Sequence, residues 1–524
     1  MLFRIPKQAF KSELFYQLIA IGCLTLLLIK AAFSVDMNWD TWAYRNPFIA
    51  RLWGIVTSEQ YLMPSGHEER FKGFPLAAEF LQGFFWKISG RIEAINLLGI
   101  FSFFAYILFI WNYLKIPFYA SVIALLAVPL IQLHATSAYI DLFANLCISA
   151  FLVLVYIMSF RRGELNARNL LLLILLGILA GNAKFQVMPT LLIGYFLFIL
   201  RIFLMKDESW LGNFSKQALT GLILIGLVLS FGVIVKNSIL YSNPFYPIDI
   251  TVGFLHFKGP EAEYSIIPKY LKNLPRTIQW FLSVTEIDFL IRKLWQKSSL
   301  YNLDMNTGDE VIGNAHVGGR TGGFFGPYVI FQLCLLFYYS IIFLRQQQYH
   351  QKQLAQGSKG IHENDEKRPL FIVFALLTLF SSFLPQSIEL RYYLYWVIIL
   401  ITINLYLSTY TSSFFNLQKL NFASMLFLIL VTVITGFNSF HLNLVSFESF
   451  RINTLDAKIL TQVKATNQPV CLAGYYPSTF LYAAPFNDGN YILQDGWNDP
   501  QTYCNEGYHV IANPDNIIQT NSTN

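Results

Sequence analysis

Charge is scarce in this sequence. Only 13% of its 524 residues are charged, where an average soluble domain carries about 25%. In its place stand 55% hydrophobic and 17% aromatic residues. That balance is the signature of an integral membrane protein, for which dividing length by domain size is no guide to domain number. The net charge of +6 is small for the length and argues against a nucleic-acid partner. It suits basic residues held on one side of a membrane. Familiar catalytic signatures are absent: there is no HExxH, GxSxG or CxxC. No regular repeat of the solenoid kind is visible. The basic N-terminus (Arg4, Lys7, Lys11) runs into an apolar stretch longer than a signal-peptide core, without a small-residue cleavage site, and reads as a retained first span.

Cysteine is also sparse, with five residues. Cys23, Cys147 and Cys334 lie in apolar runs and read as buried thiols. Cys471 and Cys504 lie in the polar C-terminal stretch and are free to pair if that stretch is outside the cytosol.

A spanning helix needs about 20 mostly apolar residues. About eleven segments qualify, near 14–35, 92–114, 116–134, 142–160, 169–185, 187–205, 218–240, 324–344, 370–388, 392–411 and 421–440. Basic residues in alternate connections (Arg161, Arg162, Arg168; Arg201, Lys206, Lys216; Arg345 to Arg368; Lys419) predict an N-in, C-out topology. Three polar segments, 36–91, 241–323 and 441–524, then fall on the opposite, outer face. The expected fold class is an all-α polytopic membrane protein with outer loops and a small C-terminal α/β segment. Residues 1–440 form the transmembrane module and 441–524 the extracytoplasmic tail. Trp39, Trp42, Phe48 and Trp53 predict short interfacial helices in the first loop. "PVCLAG", "NYILQDG" and "YHVIAN" predict short strands in the tail. A transporter places ionisable groups midway along its spans, and here the span centres are nearly free of charge.

The stretch "SVDMNWDTWAYRNPFIARLWG" (Ser34–Gly54) carries two acids, Asp36 and Asp40, four residues apart. On a helix they share one face, and an acid in a half-apolar setting is a candidate general base. The plainer alternative is a polar loop end at a membrane surface. Asp141, in "LHATSAYIDLFANL", sits where two spans meet. It is either a helix N-cap or a functional carboxylate at bilayer depth. Lys184, in "GNAKFQV", is a snorkelling lysine or part of an anion site. Lys236, Arg320 and Arg391 are similar isolated cations at outer span ends, and together these four would make a basic pocket suited to a phosphate. "GHEERFKGFP" offers His67, Glu68 and Glu69 for a divalent cation, the sole cofactor the pattern suggests. "HVGGRTGGFFGP" matches no phosphate-loop spacing and reads as a hinge.

Taken in order, these pieces resemble the GT-C class of polytopic membrane glycosyltransferases, which take sugars from polyprenyl-phosphate donors. The architecture is similar to that of bacterial mannosyltransferases and aminoarabinose transferases. "NWDTWAYRNPFIARLWG" resembles the first-loop "NWDS…YHLPR…W" stretch of such enzymes. "FKGFPLAAEFLQGFFWKISG" resembles their "PPLAE" segment, "HATSAYIDLFANL" their second acidic motif, "GNAKFQV" their "G…TK" element, and "NPFYP" their "GNP.YP" turn. The likeness covers roughly residues 30–400 and leaves out the tail.

The resemblance implies an inverting transferase at the outer face of a bacterial inner membrane. It would move a sugar from a polyprenyl-phosphate donor to a glycan, lipid or protein acceptor. Asp40 would be the base, with Asp36 as its neighbour or alternative, and Asp141 would orient the acceptor or the base. Lys184, which lies in a family-like motif, would hold the donor phosphate, and Arg320, Arg391 and Lys236 are candidates for it by position alone. Tyr44 and Arg45 fall at the acceptor site. Arg45 stands where the family has a histidine, and a guanidinium cannot act as a base. A surface-polysaccharide polymerase or ligase, a transporter and a membrane-anchored binding protein are the rival readings.

Overall fold

A computed structural model describes residues 7–161, 163–204, 214–252, 255–262, 267, 271–286, 323–355, 368–410, 415–435 and 439–513. Arg320, Arg162, Lys206 and residues 316–322 of the glycine-rich stretch 316–327 lie outside the described residues.

The protein is a mostly helical, multi-span membrane protein. Seven helices among the described residues are long and apolar enough to cross a bilayer: Glu13–Phe33, Ile92–Leu114, Asp141–Phe160, Phe185–Leu204, Gly326–Gln346, Leu390–Tyr410 and Leu417–Ile434. Two further segments pass only as bent pairs. Phe118–Leu126 and Pro129–Ala135 meet at 102°, and Lys216–Ser230 and Gly232–Tyr241 at 59°. The candidate spans therefore number seven to nine. The remaining two of the eleven expected segments form shorter apolar helices, Ala167–Gly181 and Leu370–Phe383. The first bend falls at Pro129, which cannot continue the preceding helix's hydrogen bonding.

The most enclosed spans are Leu390–Tyr410 and Asp141–Phe160, buried along 89% and 83% of their length. Both lack a polar face because neighbours surround them on all sides. The peripheral spans keep rows of exposed Leu, Ile and Phe, as a lipid-facing surface requires. Cys334 is on such an outward face, Cys23 is half-buried and Cys147 is buried, so the expectation of three buried thiols holds fully only for Cys147.

One end of the bundle carries the polar segments. The first loop folds into short helices Asn46–Leu52, Ser65–Gly73 and the amphipathic Ala77–Ser89. Phe80, Phe84 and Ile88 on the last are exposed, as for a helix lying in an interface. In chain order the strands are β1 (Tyr61–Leu62), β2 (Ile248–Val252), β3 (Leu255–Phe257), β4 (Glu261–Ala262), β5 (Val470–Ala473), β6 (Leu493–Asp495) and β7 (His509–Ala512). The three strands expected in the tail are β5, β6 and β7. They make a parallel sheet in the order β1-β6-β5-β7, whose edge strand β1 comes from the first loop. Cys471 and Cys504 form a disulfide. A second apolar core binds Trp42, Phe48, Ile49 and Tyr61 of the loop to Val470, Leu472, Phe480 and Leu493 of the tail.

Candidate active site

The loop that carries Asp36 and Asp40 is not one continuous helix. Asp36 accepts hydrogen bonds from its own neighbourhood, from Asn38 N at 3.1 Å, Asn38 Nδ2 at 2.5 Å and Thr41 Oγ1 at 2.7 Å. Local bonds of this kind compete with helix formation, so the two acids do not share a helical face. Asp36 also accepts from Ala138 N at 2.8 Å. With four donors around it, this carboxylate ties the loop to the segment before Asp141. Burial pushes its pKa up, and the donors pull it back.

Asp40 opens the next turn and is arranged differently. It accepts no hydrogen bond from the described residues. Its nearest charged partner is Arg391, with Nη1 at 3.6 Å, and its side chain keeps 12% exposure. The five residues after it, Thr41–Arg45, form a π-helical turn, an irregularity frequent at functional sites. It ends against Pro47, which has no amide hydrogen to donate. Arg45 is thereby turned inward, paired with Glu79 at 3.2 Å and lying over the rings of Tyr44 and Tyr139. Glu79 is buried, which raises its pKa, while Arg45 lowers it.

Asp141 is the first residue of its helix, and Ile140 holds the cap position, so the N-cap reading is overturned. Its carboxylate instead pairs with the ammonium of Lys184. Both are buried, at 1% and 9% side-chain exposure. Lys184 Nζ also lies 4.0 Å from the centre of the Tyr392 ring, and so it does not snorkel outward. Arg391 is held by Glu389 at 2.6 Å and stacks on Tyr139 and Tyr392. Asn145 locks the two halves together. Its amide donates to the carbonyls of Asp141 and Arg391 and accepts from Tyr395 N.

A continuous chain of contacts therefore runs Asp40–Arg391–Tyr392–Lys184–Asp141. Of the residues singled out in the sequence, Asp40, Tyr44, Arg45, Asp141, Lys184 and Arg391 converge here, with Asp36 beneath them. Lys236 stands apart, donating to the Lys72 carbonyl, and Arg320 is outside the described residues. Glu79, Tyr139, Glu389 and Tyr392 were missed. Glu79 had a signal, as the lone acid of an apolar helix, and Glu389 and Tyr392 flank the Arg391 already singled out.

The cluster is not closed on itself. Asp141 Oδ2, Glu79 Oε2, Arg45 Nε, Tyr139 OH and both ring nitrogens of His134 are buried without a partner among the described residues. Buried polar atoms are normally satisfied, so this concentration marks a place where water or a ligand belongs. The possible cation site at His67, Glu68 and Glu69 does not form. Glu68 pairs with Arg51, Glu69 with Lys72, and His67 is packed among the rings of Tyr44, Tyr476 and Trp497. Burial pushes the His67 pKa down to about 3, with Arg70 adding to the effect. No group of three metal-ligating side chains occurs among the described residues.

Below the cluster lies an apolar cavity of about 670 Å³ between the helices Asp141–Phe160, Met188–Leu204, Arg368–Phe383 and Leu394–Tyr410. Thr190 lines it and shares a hydrogen bond with Tyr395 at 2.8 Å, whose backbone amide is bonded to Asn145. The polar cluster and the cavity thus share one wall.

No protein-family model matches the chain, and no curated protein matches it. Among solved structures, ArnT from Cupriavidus metallidurans in the apo state is similar at 12% identity and a TM-score of 0.38, over 93% of this chain and 86% of that one. The same protein bound to undecaprenyl phosphate is similar at 12% identity and a TM-score of 0.39, over 92% and 85%.

Proposed function

We propose that the protein is a membrane glycosyltransferase that moves a sugar from a polyprenyl-phosphate donor to a hydroxyl acceptor, with Asp40 as general base. The observation that carries this reading is the buried cluster of acids and cations, partly unpaired, linked through Asn145, Tyr395 and Thr190 to an apolar cavity within the bundle. A polyprenyl chain stays in the bilayer because each buried CH₂ contributes about 0.8 kcal/mol to anchoring. Its enzyme must hold charged groups at headgroup height with apolar space beneath, which is the layout here. The distribution of basic residues supports a site on the outer face, and the family resemblance supports a bacterial inner membrane.

In this reading Asp40 removes the proton from the acceptor hydroxyl as its oxygen attacks the anomeric carbon. The bond from that carbon to the phosphate oxygen breaks, and the phosphate leaves with the bonding pair. A single displacement of this kind inverts the anomeric centre. Lys184 and Arg391 meet the charge on the leaving phosphate, as fixed cations in a water-poor site do well. Both cations already have carboxylate partners, so a phosphate must compete for them. The Asp40–Arg391 contact, at 3.6 Å, is the loosest. Donor binding at Arg391 would loosen it further and free Asp40 to accept a proton.

The test is transfer by the reconstituted full chain from a panel of radiolabelled polyprenyl-phosphate sugars, counting label that leaves the lipid donor. Asp40→Asn is expected to lower turnover by about 10²–10⁴-fold, the usual weight of a general base. Full turnover by that variant would refute the assignment.

A further inference from the structure

A second cavity, of about 250 Å³, lies where the first loop meets the tail. Its walls are Met37, Trp39 and Trp42 on one side and Phe450, Thr454, Ser478 and Leu481, with Pro477, on the other. Trp39 immediately precedes Asp40 in the chain. We propose that this cavity binds one pyranose ring of a carbohydrate acceptor. The inference rests on the glycosyltransferase reading and names its acceptor class.

Four observations support it. The first is size. Pockets for drug-sized ligands span about 300–1,000 Å³, so this one suits a single small ring. The second is the lining. Indole faces are electron-rich and attract the polarised C–H groups on the flat side of a pyranose, while the Thr454 and Ser478 hydroxyls can meet its hydroxyls. The Ser478 hydroxyl donates to the Tyr475 carbonyl at 2.6 Å, which leaves its oxygen free to accept.

The third is position in the sheet. Pro477 and Ser478 follow the carboxyl end of β5, and the loops at the carboxyl ends of parallel strands are where such sheets bind ligands. The loop after β6 contributes Trp497, which stacks on Tyr476 at 4.9 Å. Tyr476 in turn meets the Trp39 ring edge-on at 5.1 Å. The fourth is strain. Trp497 has φ +48°, a left-handed conformation that a bulky residue adopts at a cost. Its backbone carbonyl is held there by the amide of Gly474. The Gly474 bond and the stack on Tyr476 impose this conformation and so set an aromatic wall behind Trp39.

The experiment is saturation-transfer NMR on the purified full chain with methyl glycosides of glucose, mannose, galactose and N-acetylglucosamine. A detergent without a sugar headgroup is required, since maltosides would compete. At least one glycoside should show transfer that falls about tenfold in Trp39→Ala, the weight of one lost aromatic face. Thr454→Trp fills the cavity from its exposed rim without touching the core and should abolish the same signal. Absence of signal from all four glycosides overturns the proposal. So does a signal unchanged in both variants, or one given by n-octanol in place of the sugars. Release of sugar from the lipid donor to water, measured without acceptor, reads the glycosyltransferase reading separately. If release persists while glycosides fail to bind, the acceptor pocket alone is wrong. If glycosides bind and no donor is turned over, the carbohydrate pocket stands and the transferase reading falls.

Discussion

The Asp141–Lys184 pair offers a quantitative test of how the site is held together. Both side chains are almost completely buried, and the lysine ammonium lies against one carboxylate oxygen. Lys184→Met strands a carboxylate whose other oxygen already lacks a partner. Breaking a buried pair from one side costs about 3–5 kcal/mol. That is about two to nearly four orders of magnitude in the folded-to-unfolded ratio. Asp141→Leu strands the ammonium instead and belongs in the same range. Removing both charges restores an apolar contact and should return most of the loss, because such replacements are often close to neutral. The coupling energy expected from the cycle, the two single losses less the small loss of the double variant, is about 5 kcal/mol or more. It can be read from unfolding of the four proteins in mixed micelles by near-ultraviolet circular dichroism. A double variant that loses the sum of the two single losses would refute the reasoning, since additivity would mean the charges do not see each other. Binding of a polyprenyl phosphate separates structure from function. If Lys184 holds the phosphate, the double variant recovers stability but not binding.

Three other outcomes follow from the fold. Burial pushes the Asp495 pKa up to about 7, with Trp497 N and Tyr61 as opposing donors. Between the unfolded value of about 4 and that pH the folded tail holds a proton the unfolded chain lacks, so this group lowers stability by up to about 1.4 kcal/mol per pH unit as pH rises. His67, depressed to about 3, acts in the opposite sense below its unfolded value of about 6.5. Melting curves of Asp495→Asn against pH should therefore lose the falling component and keep the rising one, and an unchanged profile would contradict the assignment. Reducing Cys471–Cys504, which are 33 residues apart in sequence, should cost about 4 kcal/mol by loop-closure entropy. Limited proteolysis would report this first within 470–512. In Gly99→Ala the new Cβ would come within 2.4 Å of the His134 carbonyl oxygen, a backbone atom that cannot swing aside. A loss of about 1–3 kcal/mol is expected from overpacking, visible as a lower melting temperature.

What could be read from the sequence was whatever had a local signature. Apolar run length located the helical segments, and the acids and aromatics of Ser34–Gly54 located the loop that carries the candidate site. The bends at Pro129 and near Gly232 were harder, because a broken span has the same composition as a straight one. The placement of Asp36 was misjudged for a related reason. A spacing of four implies a shared face only if the backbone is helical, and Asn38 and Thr41 offered Asp36 bonds that a helix would not allow. Glu79 and Glu389 reach the site through tertiary packing and gave only isolated charges in apolar runs. Strand β1 had no local signal at all. Its two residues are extended because a partner more than 400 positions later holds them there.

That last pairing has a consequence for how the protein is made. Tyr61 and Leu62 are made more than 400 residues before their partner β6. Until the tail arrives, Trp39 has no Tyr476 beside it and the second apolar core lacks about half its members. The first loop must therefore wait, unfinished, through the synthesis and insertion of every span between. A chain that stalls or is cut short lacks this closure. Closure of this core is thus postponed until the tail has been made, so a chain lacking the tail cannot complete the first loop.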